Sequence, residues 1–303
     1  PSLKTINLEI PYKIENEGEY KITFIVNSPE YQSCVFNGSV KFSIYPLNSK
    51  INEMIEFINN AEVIKKLDIS SKNEVKKFLE SLNITKSKIE NLKRLVNLEG
   101  VDQGKISISQ KIEEEIKNLQ LMYYNKINPL RYAKNKKFVI AVDNPGNKIF
   151  RDEPYYGKNF TNIVRFSLCR NEYETRQIII FPLEELNEKI YFEVNNLENE
   201  NKDIIPSLNI EIHKVVYVKI KKSPSGTKGG FWPDILYPVN SIELKNEIQP
   251  VFLTIHVGKK QREGIYKGNI NIKNEKGELL ESITCVVKVY PFEIPEPTDF
   301  KTD

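Results

Sequence analysis

The sequence predicts a mainly β protein with an α-helical insertion. Three observations predict it. Apolar residues alternate with period two near both ends of the chain. Apolar residues at helical spacing fill the stretch from Ile51 to Tyr123. Pro, Gly and Asn then punctuate short strand-like runs after Phe138. The expected divisions are 1–48, three strands resembling the closing part of a β-sandwich; 49–134, a helical region; 135–297, a β-sandwich domain; and 298–303, the start of a linker. The sandwich, residues ~138–297, is expected to be antiparallel and immunoglobulin-like, beside the helices and an N-terminal partial sandwich.

In the first stretch Ile6, Leu8 and Ile10 alternate with Asn7 and Glu9. Ile22, Phe24 and Val26 alternate next, Asn37-Gly38 turns the chain, and a last strand ends at Tyr45-Pro46. Val251–Pro295 has the same plan. Leu253, Ile255 and Val257 alternate, Gly264-Ile265-Tyr266-Lys267 matches Gly18-Glu19-Tyr20-Lys21, and Pro291 and Pro295 are expected to end the last strand. Three strands leave two open edges and too little core, so the first set must pair with something. An upstream half-sandwich, later strands and another copy are all open.

Ile51, Met54, Ile55, Ile58 and Ala61 share a helix face. So do Val75, Phe78, Leu79 and Leu82, then Ile89, Leu92 and Val96, then Ile112, Ile116, Leu119 and Tyr123. This reads as three short helices and one longer one in a small bundle. Ser71-x-x-Glu74 and Ser107-x-x-Gln110 look like capping boxes, Gly100 and Gly104 break the chain, and Pro129 ends the run. Strands are expected at Phe138–Val142, Asn162–Cys169, Thr175–Phe181, Ile190–Val194, Leu208–Ile220 and Val239–Leu244, ahead of the closing three.

The 303 residues allow two or three domains. A net charge of +3, from 44 basic and 41 acidic residues, is too balanced for a nucleic-acid or anionic-membrane surface. Lys134–Lys137 and Lys219–Lys222 lack interleaved aromatics and read as solvated faces. No apolar run reaches the length of a membrane span. The chain opens on Pro1 and reads as a fragment or processed form, so its lack of a leader says nothing about export. Cys34, Cys169 and Cys285 form neither a disulfide framework nor a metal motif. His213 and His256 have no metal-ligand spacing to Cys, Asp or Glu, and no cofactor fingerprint is present.

Four segments carry a family resemblance: Leu168–Pro182 (LCRNEYETRQIIIFP), Phe231–Pro238 (FWPDILYP), Glu263–Gly268 (EGIYKG) and Val289–Thr302 (VYPFEIPEPTDFKT). In this order they resemble the β-sandwich that precedes a TIM barrel in bacterial proteins similar to glycoside hydrolase family 123. The resemblance covers about Phe138–Asp303. It implies β-N-acetylgalactosaminidase relatives, an extracytoplasmic or secreted location, and a catalytic-type barrel following in cis. It also implies catalytic acids on barrel strands, as an adjacent Asp-Glu pair. Asp152-Glu153 is such a pair, but it sits in a loop ahead of the sandwich strands.

The candidate site residues are therefore aromatic rather than acidic. Trp232, Asp234 and Tyr237 lie in an expected loop after two glycines, and an exposed ring there could stack on a sugar face. Tyr155 and Tyr156, with Phe160, form a second aromatic loop. The plainer alternative is that these rings pin their loops to the sandwich or to the barrel. Glu172 and Glu174 flank Tyr173, where Arg165, Arg170 or Arg176 could pair with them structurally. The leading expectation is a non-catalytic accessory region supporting a barrel in cis. A carbohydrate-binding or cell-surface adhesion module, with a glycan as partner, is the alternative. No catalytic residue, metal or cofactor is assigned to this chain, and an enzyme complete in itself is the third and weakest reading.

Overall fold

The computed structural model describes residues 18–27, 35–133, 136–183, 188–221 and 229–295. The chain forms two compact units, residues 1–63 with 80–117, and residues 64–79 with 118–303.

The first unit opens with strands β1 (Gly18–Asn27) and β2 (Val35–Ile44), an antiparallel hairpin. The expected strand at Ile6–Ile10 lies outside the described residues. Helix α1 (Leu47–Glu62) buries Ile51, Met54, Ile58 and Ala61, as their spacing predicts. Helix α2 (Asn73–Glu99) corrects the expectation of two short helices, because both stripes lie on one 27-residue helix. Thr85 explains the apparent break. It is buried at 4% exposure in the apolar seam and hydrogen-bonds Glu115 at 3.3 Å, so a polar residue continues the stripe. Gly100 ends the helix with a φ of +76°, where a side chain would be strained. Helix α3 (Gln103–Met122) is capped by Asp102, whose Oδ1 accepts the Lys105 amide at 2.8 Å. Ser107 therefore sits inside α3, not at its start, and Gly104 does not break the chain.

The second unit takes up the end of α3. A π-helical turn (Tyr123–Ile127) and a 3₁₀ turn (Asn128–Tyr132) lead into the strands. These are β3 (Phe138–Asp143), β4 (Ile163–Arg170), β5 (Glu172–Pro182), β6 (Glu188–Val194), β7 (Leu197–Glu198), β8 (Ile204–Ile205), β9 (Ile210–Ile220), β10 (Gly230–Pro238), β11 (Ser241–Leu244), β12 (Gln249–Val257), β13 (Gly264–Lys273) and β14 (Leu279–Glu293). One sheet has the order β10-β9-β12-β5-β3. The other runs β11-β6-β13-β14-β4, with β7 pairing both β13 and β8. The arrangement is mainly β with a helical region. It is not wholly antiparallel, because β14 and β4 pair in parallel. Pro291 does not end the last strand either. β14 continues past it, through a register shift, until Glu293 pairs with Arg170.

The apolar runs of β3 and β5 are buried on both faces, which explains their lack of alternation. Phe138, Ile140, Ile178 and Ile180 enter the core between the sheets. Val139, Ala141, Ile179 and Phe181 form a second core on the other face, with Ile149, Tyr155 and Ile248. Opposite the first set lie Tyr266, Ile270, Ile283 and Cys285. Burial pushes the Cys285 thiol up to about 12, so it packs as a small apolar group.

The Glu263–Gly268 segment has a local explanation. Gly264 takes a φ of +141° at the entry to β13. Tyr266 is fully buried, and its hydroxyl donates to Arg262 O at 2.8 Å and accepts from Gln261 at 2.9 Å. At Gly268 an added Cβ would meet the backbone oxygen of Asn196 at 2.5 Å. Gly268→Ala is thus expected to destabilise the protein by ~1–3 kcal/mol through overpacking against backbone. Urea unfolding of the two proteins measures this, and an unchanged midpoint would contradict it.

Candidate functional site

The candidate aromatics fall into two places. Phe231–Pro238 is not a loop but the body of β10, an edge strand paired along β9. The register shifts by one residue between Pro233 and Ile235, so Asp234 is the extra residue of a bulge. Trp232, Ile235 and Tyr237 pair with Val218, Val216 and Lys214, and therefore share one face. Without the bulge, Tyr237 would point the other way. Trp232 is half-buried, with Phe150 edge-on at 5.3 Å and the Lys148 ammonium 4.7 Å from its ring centroid. Asp234 is exposed, and Tyr237 is 61% exposed. Pro233, Pro238 and the bulge protect the strand's open edge from further pairing.

Tyr155 is a correction. Its ring is only 6% exposed and packs on Phe181 at 5.3 Å, so it offers no face to a sugar. Burial, with the nearby Asp143 charge, pushes its hydroxyl well above the ordinary tyrosine range. Tyr156 is 57% exposed and rests edge-on against Tyr124 at 4.7 Å. The loop carrying them is tied down. Asn125 donates to Glu153 O at 2.9 Å and accepts the Tyr155 amide at 2.8 Å. Tyr217 donates to Ile149 O at 2.7 Å, and its ring carries the Arg151 guanidinium at 4.1 Å. Arg151 also pairs with Glu247 at 3.0 Å. Beside this loop is an open cavity of about 360 Å³ with an apolar floor of Leu121, Met122 and Ile248. Among the described residues no group of three His, Cys, Asp or Glu is placed to hold a metal ion. No helix there is long and apolar enough to cross a membrane.

A third place was read in the sequence only as a structural pairing. At Arg170–Glu172 the chain leaves one sheet and enters the other, and Asn171 makes the corner with a φ of 63°. The next side chains turn back onto β4, whose outer edge faces no strand among the described residues. Glu172 accepts the Cys169 amide at 2.7 Å and Glu174 the Ser167 amide at 2.6 Å. Arg176 donates to Arg165 O at 3.1 Å and pairs with Glu174. Three side chains at period-two spacing thus stand in for a missing strand. Arg170 holds Pro291 O, and Asn171 donates to Ile294 O at 3.0 Å, so the same segment grips the end of β14. Tyr173 faces the other way and stacks on His256 at 4.1 Å.

Residues 150–274 match the family model for the glycoside hydrolase 123 N-terminal domain. Over those residues the sandwich resembles the glycoside hydrolase 123 N-terminal domain. That match takes in the corner, the edge-capping carboxylates, β10 and the Glu263–Gly268 segment. No curated protein matches the sequence. Among solved structures, a family 123 glycoside hydrolase from Clostridium perfringens, studied for glycolipid glycan hydrolysis, is similar at 18% identity and a TM-score of 0.47. The similarity covers 54% of this chain and 29% of that enzyme, so the chain spans under a third of its length. The CooA pilin subunit from enterotoxigenic Escherichia coli is similar at 12% identity and a TM-score of 0.28, over 52% of this chain and 99% of the pilin.

Removing the edge-capping carboxylates of the sandwich tests their role. Glu172→Ala with Glu174→Ala is expected to cost about 1.5–3 kcal/mol per lost charged hydrogen bond and to promote self-association through the bared β4 edge. Chemical denaturation and sedimentation velocity read the two effects. A stable, monodisperse double variant would show that the edge needs no cap.

Proposed function

We propose that this chain is the non-catalytic support region of a larger, exported glycan-acting protein, whose catalytic groups lie in a domain following in cis. The match of residues 150–274 to an N-terminal domain model carries this reading. The packing of the Asp152-Glu153 loop agrees with it. Arg151 just before the pair and Tyr155 two residues after it are engaged with Tyr217 and the second core, and the Glu153 backbone is held by Asn125. A pair working on a glycosidic bond would instead need to flank a substrate cleft. The 303-residue chain is expected to show no turnover of aryl β-N-acetylhexosaminides. Hydrolysis that persists through purification and tracks the protein would overturn the reading.

A second reading, glycan binding by the sandwich, rests on Tyr237, whose ring is 61% exposed on the same face as Trp232. It predicts array binding that falls about tenfold or more in Tyr237→Ala, and less in Trp232→Ala, because Phe150 and Lys148 already occupy much of the indole. No binding by the parent chain across a broad array would remove it.

A further inference from the structure

The open cavity of about 360 Å³ is built within the second unit, from elements far apart in sequence. Leu121 and Met122 come from the last turn of α3, Pro182 from the end of β5 and Ile248 from the turn into β12. Arg151 comes from the segment between β3 and β4. The volume lies in the range of small-molecule sites, and an apolar floor with a few polar groups is their usual make-up. Among the described residues no aromatic ring lines this cavity, so it offers no flat face for a sugar to stack on.

The charged groups around that floor select the ligand. Lys126 Nζ donates to Asn246 Oδ1 at 3.1 Å, a neutral partner, and no carboxylate pairs with it among the described residues. Arg151 is held from two sides. Its guanidinium lies on the Tyr217 ring at 4.1 Å, and Nη1 pairs with Glu247 at 3.0 Å. Asn246 and Glu247 are consecutive, so one turn gathers both cations. Glu247 balances one of them, and the lining keeps a positive charge in excess. Arg151 Nε is buried with no hydrogen-bond partner among the described residues, a costly state for a donor. With Nη1 on Glu247, the edge left over is Nε–Nη2, along which a carboxylate can accept two parallel bonds. An aliphatic floor below excess positive charge suits an organic acid with an apolar body. An amine would be repelled by Lys126 and Arg151, and an inorganic anion would leave the floor wet.

We propose that this cavity binds a small carboxylic acid, its hydrocarbon body on Leu121, Met122 and Ile248 and its carboxylate between Lys126 and Arg151. The inference stands independently of the support reading above. Methionine placement supplies the test. Met122 lines the cavity, and the chain's one other methionine, Met54, is buried on α1. Methyl NMR of the 303-residue chain labelled at methionine reports occupancy, with hexanoate as the probe. Hexanoate is expected to shift the Met122 methyl saturably, with a Kd of about 1 mM, and to leave Met54 in place. Hexan-1-ol and hexylamine are expected to bind about fivefold more weakly or worse, and Lys126→Met, a change at an exposed position, to weaken hexanoate by about as much. The absence of a saturable Met122 shift up to about 10 mM hexanoate would overturn the proposal. So would a shift of Met54 alone, equal affinity for hexanoate and hexan-1-ol, or hexanoate binding untouched by Lys126→Met.

Discussion

The sandwich depends on the β3–β5 pair being covered on both faces. A strand buried on two sides must be apolar at every position, and Phe138–Val142 and Ile178–Phe181 are. The seven-stranded sheet covers one side. The other is covered by the segment between β3 and β4, which brings Ile149 and Tyr155 down onto Val139, Ala141, Ile179 and Phe181. Each buried Val, Ile or Phe among these contributes about 1.5–3 kcal/mol. The segment then returns along the edge of β3, where Val142 N reaches Asn159 O at 3.0 Å and Ala141 bridges Phe160. An aromatic loop that seals a core has few rings left for a ligand. Tyr156 is exposed at its surface, while Phe150 and Phe160 are half-buried.

The same constraint explains the corner. β5 belongs to the sheet that needs two-sided cover, while β4, just before it, ends the opposite sheet. Among the described residues the crossing leaves β4 as the last strand of its sheet. Side chains of β5 itself solve this. A strand side chain repeats every two residues, as do the outward amides of its neighbour, so Glu172 and Glu174 meet Cys169 N and Ser167 N in step. Carboxylates accept these amides strongly and present charge, rather than a pairing template, to solvent.

What was legible in the sequence follows from these demands. Strands with one wet face, such as β12 and β13, announce themselves by alternation, and doubly covered β3 by an unbroken apolar run. β10 was hidden because a bulge at Asp234 breaks its period, two prolines mimic loop chemistry and its outer residues stay exposed. The unity of α2 was hidden by Thr85, a polar residue in an apolar seam. Of the candidate site residues, Trp232, Asp234 and Tyr237 do share one strand. Tyr155 was misplaced because a tyrosine's polarity does not reveal whether its ring seals a core. The corner was visible only as a charged interruption, since the partners of Glu172 and Glu174 are backbone amides, which no sequence pattern displays.

The two hairpins show how far local sequence reaches. Gly18 pairs with Ile44, the residue before Tyr45-Pro46, and Gly264 pairs with Val289, the residue before Tyr290-Pro291. Matched Gly-x-Tyr-Lys and Tyr-Pro signals thus set the same register at the open end of both. Their surroundings differ. β13–β14 has β6 on one side and β4 on the other, whereas β1–β2 forms a two-stranded sheet among the described residues. An isolated hairpin is marginal in water, and flanking strands supply what it lacks. Register is therefore a property of the hairpin's own residues, while its stability belongs to its neighbours. The Gly-x-Tyr-Lys echo identifies a shared way of starting a strand pair, and the sandwich around β13–β14 comes from strands with no counterpart beside β1 and β2 among the described residues.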